Sequence, residues 1–438
     1  MPKLQQKLTL FDLTMIAIGS TIGSGIFLTP SSIANALPSP FWILLVWIVG
    51  GLMALSGALT FAELGARMPG AGGVYVYLRE AYGGLAGFLY GWAYFLVVNT
   101  GGIAALSVAF ATYFGYFVPL SPVELKIVAI AGLIVVTIIN VVGVKAGGIF
   151  SDVFTILKLA GIAGLIIVGL GWGSSEATDF AAPLGDPTGA VLPNGLTSAL
   201  AVAMVGVLWS YGGWQHASFL AGEARHAQRA IPLAMIFGAL AVTVIYVLTN
   251  VAYLFLLSPQ QIGASSAVAS DAIARILGSD GGKAIALAIF ISTFGTAGIY
   301  TLSAPRIYYA MASDGVFFRK VAEVHPKFHT PAYAILFQTV WAIVLILFWG
   351  TFENLISYVV FTDWIFFALA AASVFIFRRR SGEGAYKTPG YPLTPLFFIA
   401  TSVWFIVNTL VERPAQAWAG LGFLALGMPV YYFWRKRQ

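Results

Sequence analysis

Long apolar runs follow one another along the chain, separated by short breaks of charge, glycine and proline. Read by their polar interruptions, they lie at 9–36, 41–65, 84–117, 124–143, 149–171, 196–221, 231–257, 283–312, 331–350, 353–377, 393–411 and 415–434. A run of about 20 apolar residues, coiled as a helix, is long enough to cross the hydrocarbon of a bilayer. Only helices and closed barrels can pair every backbone group there, and barrel strands alternate in polarity. The run from Ile127 to Val142 does not alternate. The pattern therefore predicts an all-α polytopic membrane protein with 12 transmembrane helices.

Composition strengthens this reading. Of 438 residues, 59% are apolar and 9% charged, with a mean hydropathy of +0.88, against roughly 25% charged in soluble domains. With both termini cytoplasmic, the inner loops hold 18 Lys and Arg: Lys3, Lys7, Arg67, Arg79, Lys145, Arg225, Arg229, Arg306, Arg319, Lys320, Lys327, Arg378, Arg379, Arg380, Lys387, Arg435, Lys436 and Arg437. The outer loops hold only 4, namely Lys126, Arg275, Lys283 and Arg413. Cytoplasmic loops carry such an excess, so a multi-pass protein of the cytoplasmic (inner) membrane is expected. The net charge of +6 then reflects orientation, and no nucleic-acid partner is implied.

Lys3 and Lys7 precede an apolar stretch with no small-residue cleavage site at its end, so it reads as a retained first span. The chain has no cysteine, which excludes disulfides, thiolate metal sites and a disulfide-linked subunit. The four histidines, His216, His226, His325 and His329, are scattered. They do not make the cluster that a membrane-embedded enzyme or metal centre needs, and no cofactor is expected. Of the longer outer segments, Gly171 to Gly195 reads as an irregular cover. Ser258 to Gly282 reads as a lid with a short amphipathic helix at Ser270 to Leu277.

Two spans carry an interruption at matching places. Span 1 contains Ile22-Gly23-Ser24-Gly25-Ile26 and span 6 contains Ser210-Tyr211-Gly212-Gly213-Trp214. Glycine costs about 1 kcal/mol relative to alanine inside a helix, and paired interrupted spans mark the binding site of transporters built from inverted repeats. Unwinding frees amides at the start of the half-helix near Ser24, where the positive dipole end can receive a carboxylate. Carbonyls freed at Ile22 and near Trp209 can receive an ammonium. A zwitterion fits these two poles. The alternative is that the glycines only allow close helix packing.

Seven segments in order along the chain resemble the amino acid–polyamine–organocation superfamily, and within it bacterial permeases near the L-type amino acid transporter branch. They are AIGSTIGSGIF ending at Phe27, ELGARMPGAGGVYVYLREAYG from Glu63, LWSYGGWQ from Leu208, GEARHAQRAIPLA from Gly222, APRIYYAMASDGVFF from Ala304, HPKFHTPAYAI from His325 and TPGYPLTPLFF from Thr388. The resemblance implies a five-plus-five inverted repeat in a leucine-transporter-like fold, with discontinuous helices 1 and 6. The repeats would occupy 1–171 and 172–377, followed by peripheral spans over 378–438. It implies that substrate lies between spans 1 and 6, its carboxylate at Ser24, Gly25 and Ile26 beside Thr21 and Ser20. Its amino group would lie at Ile22, Trp209 and Ser210, with Gly212 also in the binding site and Trp209 as an aromatic gate. Gln215 departs from the asparagine commoner in such relatives.

Lys158 lies in span 5, six residues past Asp152, or about 9 Å along the helix. A charge at that depth costs roughly 2.5–3.5 kcal/mol on insertion scales and usually faces a partner or a cavity. Snorkelling to the interface is the plainer alternative. In resembling permeases a span 5 lysine stands where sodium-driven relatives hold their ion, so Lys158 is the expected coupling residue. Asp363 in span 10 reads as a structural hydrogen-bonding group distant from the breaks, and Glu63 as an ion pair with Arg67. His216 is either a proton relay or a packed histidine donating to a backbone carbonyl. Gly70 to Gly73 lack the Lys and Ser/Thr of a phosphate loop and read as a hinge; Arg306, Arg319 and Lys320 read as inner-face anchors.

No ATP-binding motif is present. The sequence thus points to a secondary transporter of amino acids, chiefly neutral L-amino acids, that is sodium-independent and works by exchange or proton coupling. A carrier of cationic amino acids or polyamines is the alternative in transport, and a sensor that binds without turnover the alternative outside it.

Overall fold

A computed structural model of the chain describes residues 4–173, 195–348, 352–381, 384 and 386–435. The expected outer cover between Gly171 and Gly195 falls almost wholly outside the described residues, as do Lys3, Lys436 and Arg437. Among the described residues every regular element is helical, and the one β-contact is an isolated parallel bridge between Leu8 and Ala224.

Thr9 and Asp12 form a capping box that starts α1 (Leu10–Thr21). After a break of three residues the chain re-enters a helix as α2 (Gly25–Ala36). Then follow α3 (Pro40–Arg67), the short α4 (Val74–Tyr82), α5 (Gly84–Phe114), α6 (Pro122–Val142) and α7 (Val144–Trp172). The second break separates α8 (Gly195–Tyr211) from the single turn α9 (His216–Phe219). Beyond it lie α10 (Ala227–Leu256), α11 (Pro259–Ala264), α12 (Val268–Ser303), α13 (Pro305–Ser313), α14 (Ala332–Phe348), α15 (Phe352–Ser381), α16 (Leu393–Glu412) and α17 (Pro414–Arg435). Among the described residues nine helical segments are long and apolar enough to cross a membrane, with α8 and α14 as shorter apolar helices. The breaks in spans 1 and 6 thus fall where the glycines predict them.

Burial separates an interior from a lipid-facing shell. The most apolar windows of Leu10–Ala36 and Gly84–Phe114 are 72% and 78% buried, whereas those of α7 and α16 are both 28% buried. Apolar side chains such as Val123, Ile127, Ile138 and Val411 stand exposed on the outer helices, as a bilayer solvent allows and water does not. α1 is enclosed by α10, α7 and α12, and α2 packs along α8. The segment read as a lid, Ser258 to Gly282, opens with a short helix, α11, whose Gly263 carbonyl accepts from Ser31 and Asn35 at the far end of α2. The expected amphipathic helix is the start of α12, which kinks at Gly278.

The end of the molecule opposite this lid is tied by buried charge. Glu63 accepts from Arg67, Arg378 and both the amide and hydroxyl of Thr388. Its expected pairing with Arg67 is there, but Arg378, on α15, makes the closer contact at 2.6 Å. Tyr75 and Arg79 of α4 both bind Asp314. Arg306 is not the surface anchor expected from its basic loop. It is fully buried, its guanidinium meeting both oxygens of a fully buried Glu223 at 2.7 and 2.8 Å and also donating to the Leu302 carbonyl. The available signal was Glu223, an acid that a buried arginine could pair with.

Removing one member of a buried ion pair leaves an uncompensated charge, at about 3–5 kcal/mol, whereas replacing both by apolar residues is often near neutral. Glu223→Gln is therefore expected to lower the thermal unfolding midpoint of the detergent-purified protein sharply, and the double replacement Glu223→Leu with Arg306→Met to recover most of the loss. A double variant as unstable as Glu223→Gln would show that the pair itself is needed.

Candidate functional site

α1 ends inside the bundle, so its last carbonyls have no next turn to bond to. Lys158 meets them. Its ammonium, 1% exposed, donates to the Gly19 carbonyl (2.8 Å), the Ile22 carbonyl (2.7 Å) and the Thr296 hydroxyl (2.6 Å). Three N–H donors find three acceptors, and the cation sits at the negative end of a helix dipole. Snorkelling to the interface is excluded by this placement. Ser292 and Thr296 of α12 add hydroxyls to the same carbonyls at 2.9–3.3 Å.

The two breaks touch backbone to backbone. A Cβ on Gly213, whose φ is +138°, would lie 2.5 Å from the Ser20 carbonyl carbon, and one on Gly25 would lie 2.7 Å from Ser210 Cα. Glycine at Gly25 is thus demanded by span 6 packing against it. The Ser20 hydroxyl donates to the Gly213 carbonyl at 2.8 Å. The Tyr246 hydroxyl, from α10, lies 2.9 Å from the Thr21 carbonyl and 3.1 Å from that of Ser210, within donating reach of both breaks. Sequence reasoning missed Tyr246; a tyrosine in an apolar span has to place its hydroxyl on a partner, and that was the available signal.

What remains unpaired is the start of α2. The amides of Ser24, Gly25 and Ile26 make no hydrogen bond among the described residues, and the Ser24 hydroxyl is buried without a partner. These groups lie together at the positive end of a helix, a place that receives a carboxylate. The Thr21 and Ser210 hydroxyls bond back to the Ala17 and Gly206 carbonyls. The Ile22 carbonyl, expected to receive an ammonium, is already filled by Lys158, Thr296 and Ser292, because the sequence could not say which side chains face it.

Trp209, expected as a gate, lines a small cavity together with Gly212, Gln215, His216, Tyr300 and Asp363. Asp363 is therefore not distant from span 6. Tyr94 also borders the cavity, on a π-helical turn of α5 (Tyr94–Val98) whose Phe95 carbonyl accepts from the Thr100 hydroxyl; such turns recur at functional sites. His216 Nδ1 lies 2.6 Å from the Ser303 hydroxyl and Nε2 lies 3.2 Å from that of Tyr94. Both ring nitrogens thus meet hydroxyls, where a packed histidine was expected to meet a backbone carbonyl.

A family model described as Amino acid permease matches residues 8–431. The chain is 35% identical over 438 residues to the serine/threonine exchanger SteT of Bacillus subtilis (strain 168), covering 98% of this chain and 96% of that protein. It is 29% identical to the b(0,+)-type amino acid transporter 1 of Homo sapiens, over 98% of this chain and 88% of that one. It is also 29% identical to the large neutral amino acids transporter small subunit 2 of Homo sapiens, over 99% and 82%.

Two adjacent glycines separate contact from mere flexibility. At Gly213 a side chain would strike the backbone of span 1 in a conformation that itself costs about 1–3 kcal/mol for other residues. At Gly212 the nearest atoms lie at 3.4 Å, an ordinary contact. Gly213→Ala should lower the unfolding midpoint and abolish substrate-induced stabilisation, while Gly212→Ala should keep the midpoint of the parent. Equal midpoints for the two variants would mean that the breaks do not touch as described.

Proposed function

From its membership of the amino acid permease family, to which this chain belongs as a membrane transporter and not an enzyme, we propose that it is a sodium-independent secondary carrier of neutral L-amino acids. Amino acid transport is common to the relatives. The observation that carries the finer reading is the unpaired cluster at the start of α2: three amides and the Ser24 hydroxyl, buried, at a positive helix end. That cluster binds the substrate carboxylate. The substrate ammonium goes to the carbonyls at the ends of the two breaks, at Ile22 and beside Trp209 and Ser210. To admit it at Ile22, Thr296 turns its hydroxyl toward the Ser292 carbonyl in its own helix, already 3.0 Å away.

Lys158 supports sodium independence. A covalently attached cation occupies the carbonyls that a mobile ion would otherwise satisfy, so no second cation is needed there. Exchange accounts for this better than proton coupling, because three acceptors keep the ammonium satisfied throughout. The names of the relatives, which include an exchanger, lend support. Two five-span repeats, 1–171 and 172–377, with peripheral spans over 378–438, and cytoplasmic termini in an inner membrane complete the proposal. The matching breaks and the 18-to-4 distribution of Lys and Arg are what favour it.

The test is exchange of radiolabelled amino acid in proteoliposomes. A free carboxylate and a free amino group should both be required, so methyl esters and N-acetyl amino acids should compete at least tenfold more weakly than the parent compound, the worth of one charge-assisted hydrogen bond. Replacing sodium by choline should leave the rate unchanged, and Lys158→Ala should cut it at least tenfold. An ester that competes equally, or a strict need for sodium, would refute the reading.

A further inference from the structure

Asp363 presents a carboxyl group with nothing to bind. The residue is 8% exposed, its Oδ1 is buried without a partner, and no hydrogen bond reaches Oδ2 among the described residues. Among its cavity neighbours, both nitrogens of His216 are engaged by hydroxyls, that of Tyr94 among them, and Gln215 Oε1 accepts from the Gly213 amide at 2.9 Å; none of them donates to Asp363. Rings form much of the remaining wall, with Tyr300 stacked on His216 at 4.3 Å and the indole of Trp209 beside them. Aromatic faces around one carboxyl favour a cationic or hydrogen-bond-donating guest.

The cavity lining joins Trp209, Gly212 and Gln215, at the span 6 break, to Asp363 on α15. A zwitterion held by its backbone at the breaks would send its side chain this way. The geometry points to Asp363 as the polar end of the side-chain pocket, selecting amino acids whose side chain ends in a hydrogen-bond donor. This rests on the zwitterion site proposed above and adds what lies beyond it. A hydroxyl and an ammonium share the required chemistry, and they differ in what they ask of the carboxyl. A hydroxyl is satisfied by any acceptor oxygen, whereas an ammonium needs the negative charge as well.

Isosteric pairs test this in the full-length protein in proteoliposomes: threonine against valine for the hydroxyl, and lysine against norleucine for the ammonium. The parent should favour the donor-bearing member of at least one pair by about tenfold or more, as one such hydrogen bond is worth. Asp363→Leu should bring that ratio to within about twofold of one, whatever becomes of the absolute rates. Asp363→Asn keeps an acceptor oxygen without charge, so a preference surviving it identifies the hydroxyl and one lost identifies the ammonium. This variant also serves if the leucine variant does not fold. A parent that exchanges alanine yet discriminates within neither pair overturns this inference alone, as does an unchanged ratio in Asp363→Leu. A parent that exchanges no α-amino acid overturns the proposed function and this inference with it.

Discussion

In hydrocarbon a backbone amide or carbonyl without a partner costs several kcal/mol, and this chain breaks two helices at bilayer depth. The surroundings of the breaks answer that cost unevenly. The carbonyls at the end of α1 are covered by Lys158, Ser292 and Thr296, and those of Thr21, Ser210 and Gly213 by Tyr246 and Ser20. The amides at the start of α2 are left open. The protein thus fills the carbonyl pole from within and leaves the amide pole open, where the proposed substrate carboxylate would bind.

The two breaks pack directly against each other. Gly213 and Gly25 bring backbone against backbone, and the contact continues toward the end of the chain opposite the lid. The amides of Lys7 and Leu8 both donate to the Glu223 carbonyl, and the Arg225 amide donates back to Leu8. Glu223 is in turn fixed to Arg306. α1 and the segment after the span 6 break therefore form a unit held to α13 by one buried ion pair. Any motion that opens this end has to separate that pair or carry α13 with it.

Much of this was legible in the sequence, because hydropathy reports depth and glycine reports breaks. The helical class, the positions of both interruptions and the inward placement of Lys158 all follow from residue type and spacing. What hydropathy does not report is azimuth: a residue at known depth can face lipid, core or cavity. Arg306 was read as an anchor because its loop is basic, although its partner lies 83 residues earlier. Asp363 was read as distant from the breaks because α15 is far along the chain, yet it shares a cavity with Trp209. The occupants of the Ile22 carbonyl come from α7 and α12, and no local pattern near residue 22 announces either.

In the sodium-independent reading proposed above, Lys158 is a fixed cation in place of a mobile one. A bound ion can leave when its helix moves, and its site then needs water or a second ion to replace it. The ammonium cannot leave; it joins α7 to α1 through Gly19 and Ile22 and to α12 through Thr296. Moving α1 away from α7 would strand a buried charge, a far larger penalty than the loss of one neutral hydrogen bond. The low-cost path keeps α1, α7 and the Lys158 head together. In the exchange proposed above, α1 and α7 therefore move as one, with the ammonium satisfied at every step.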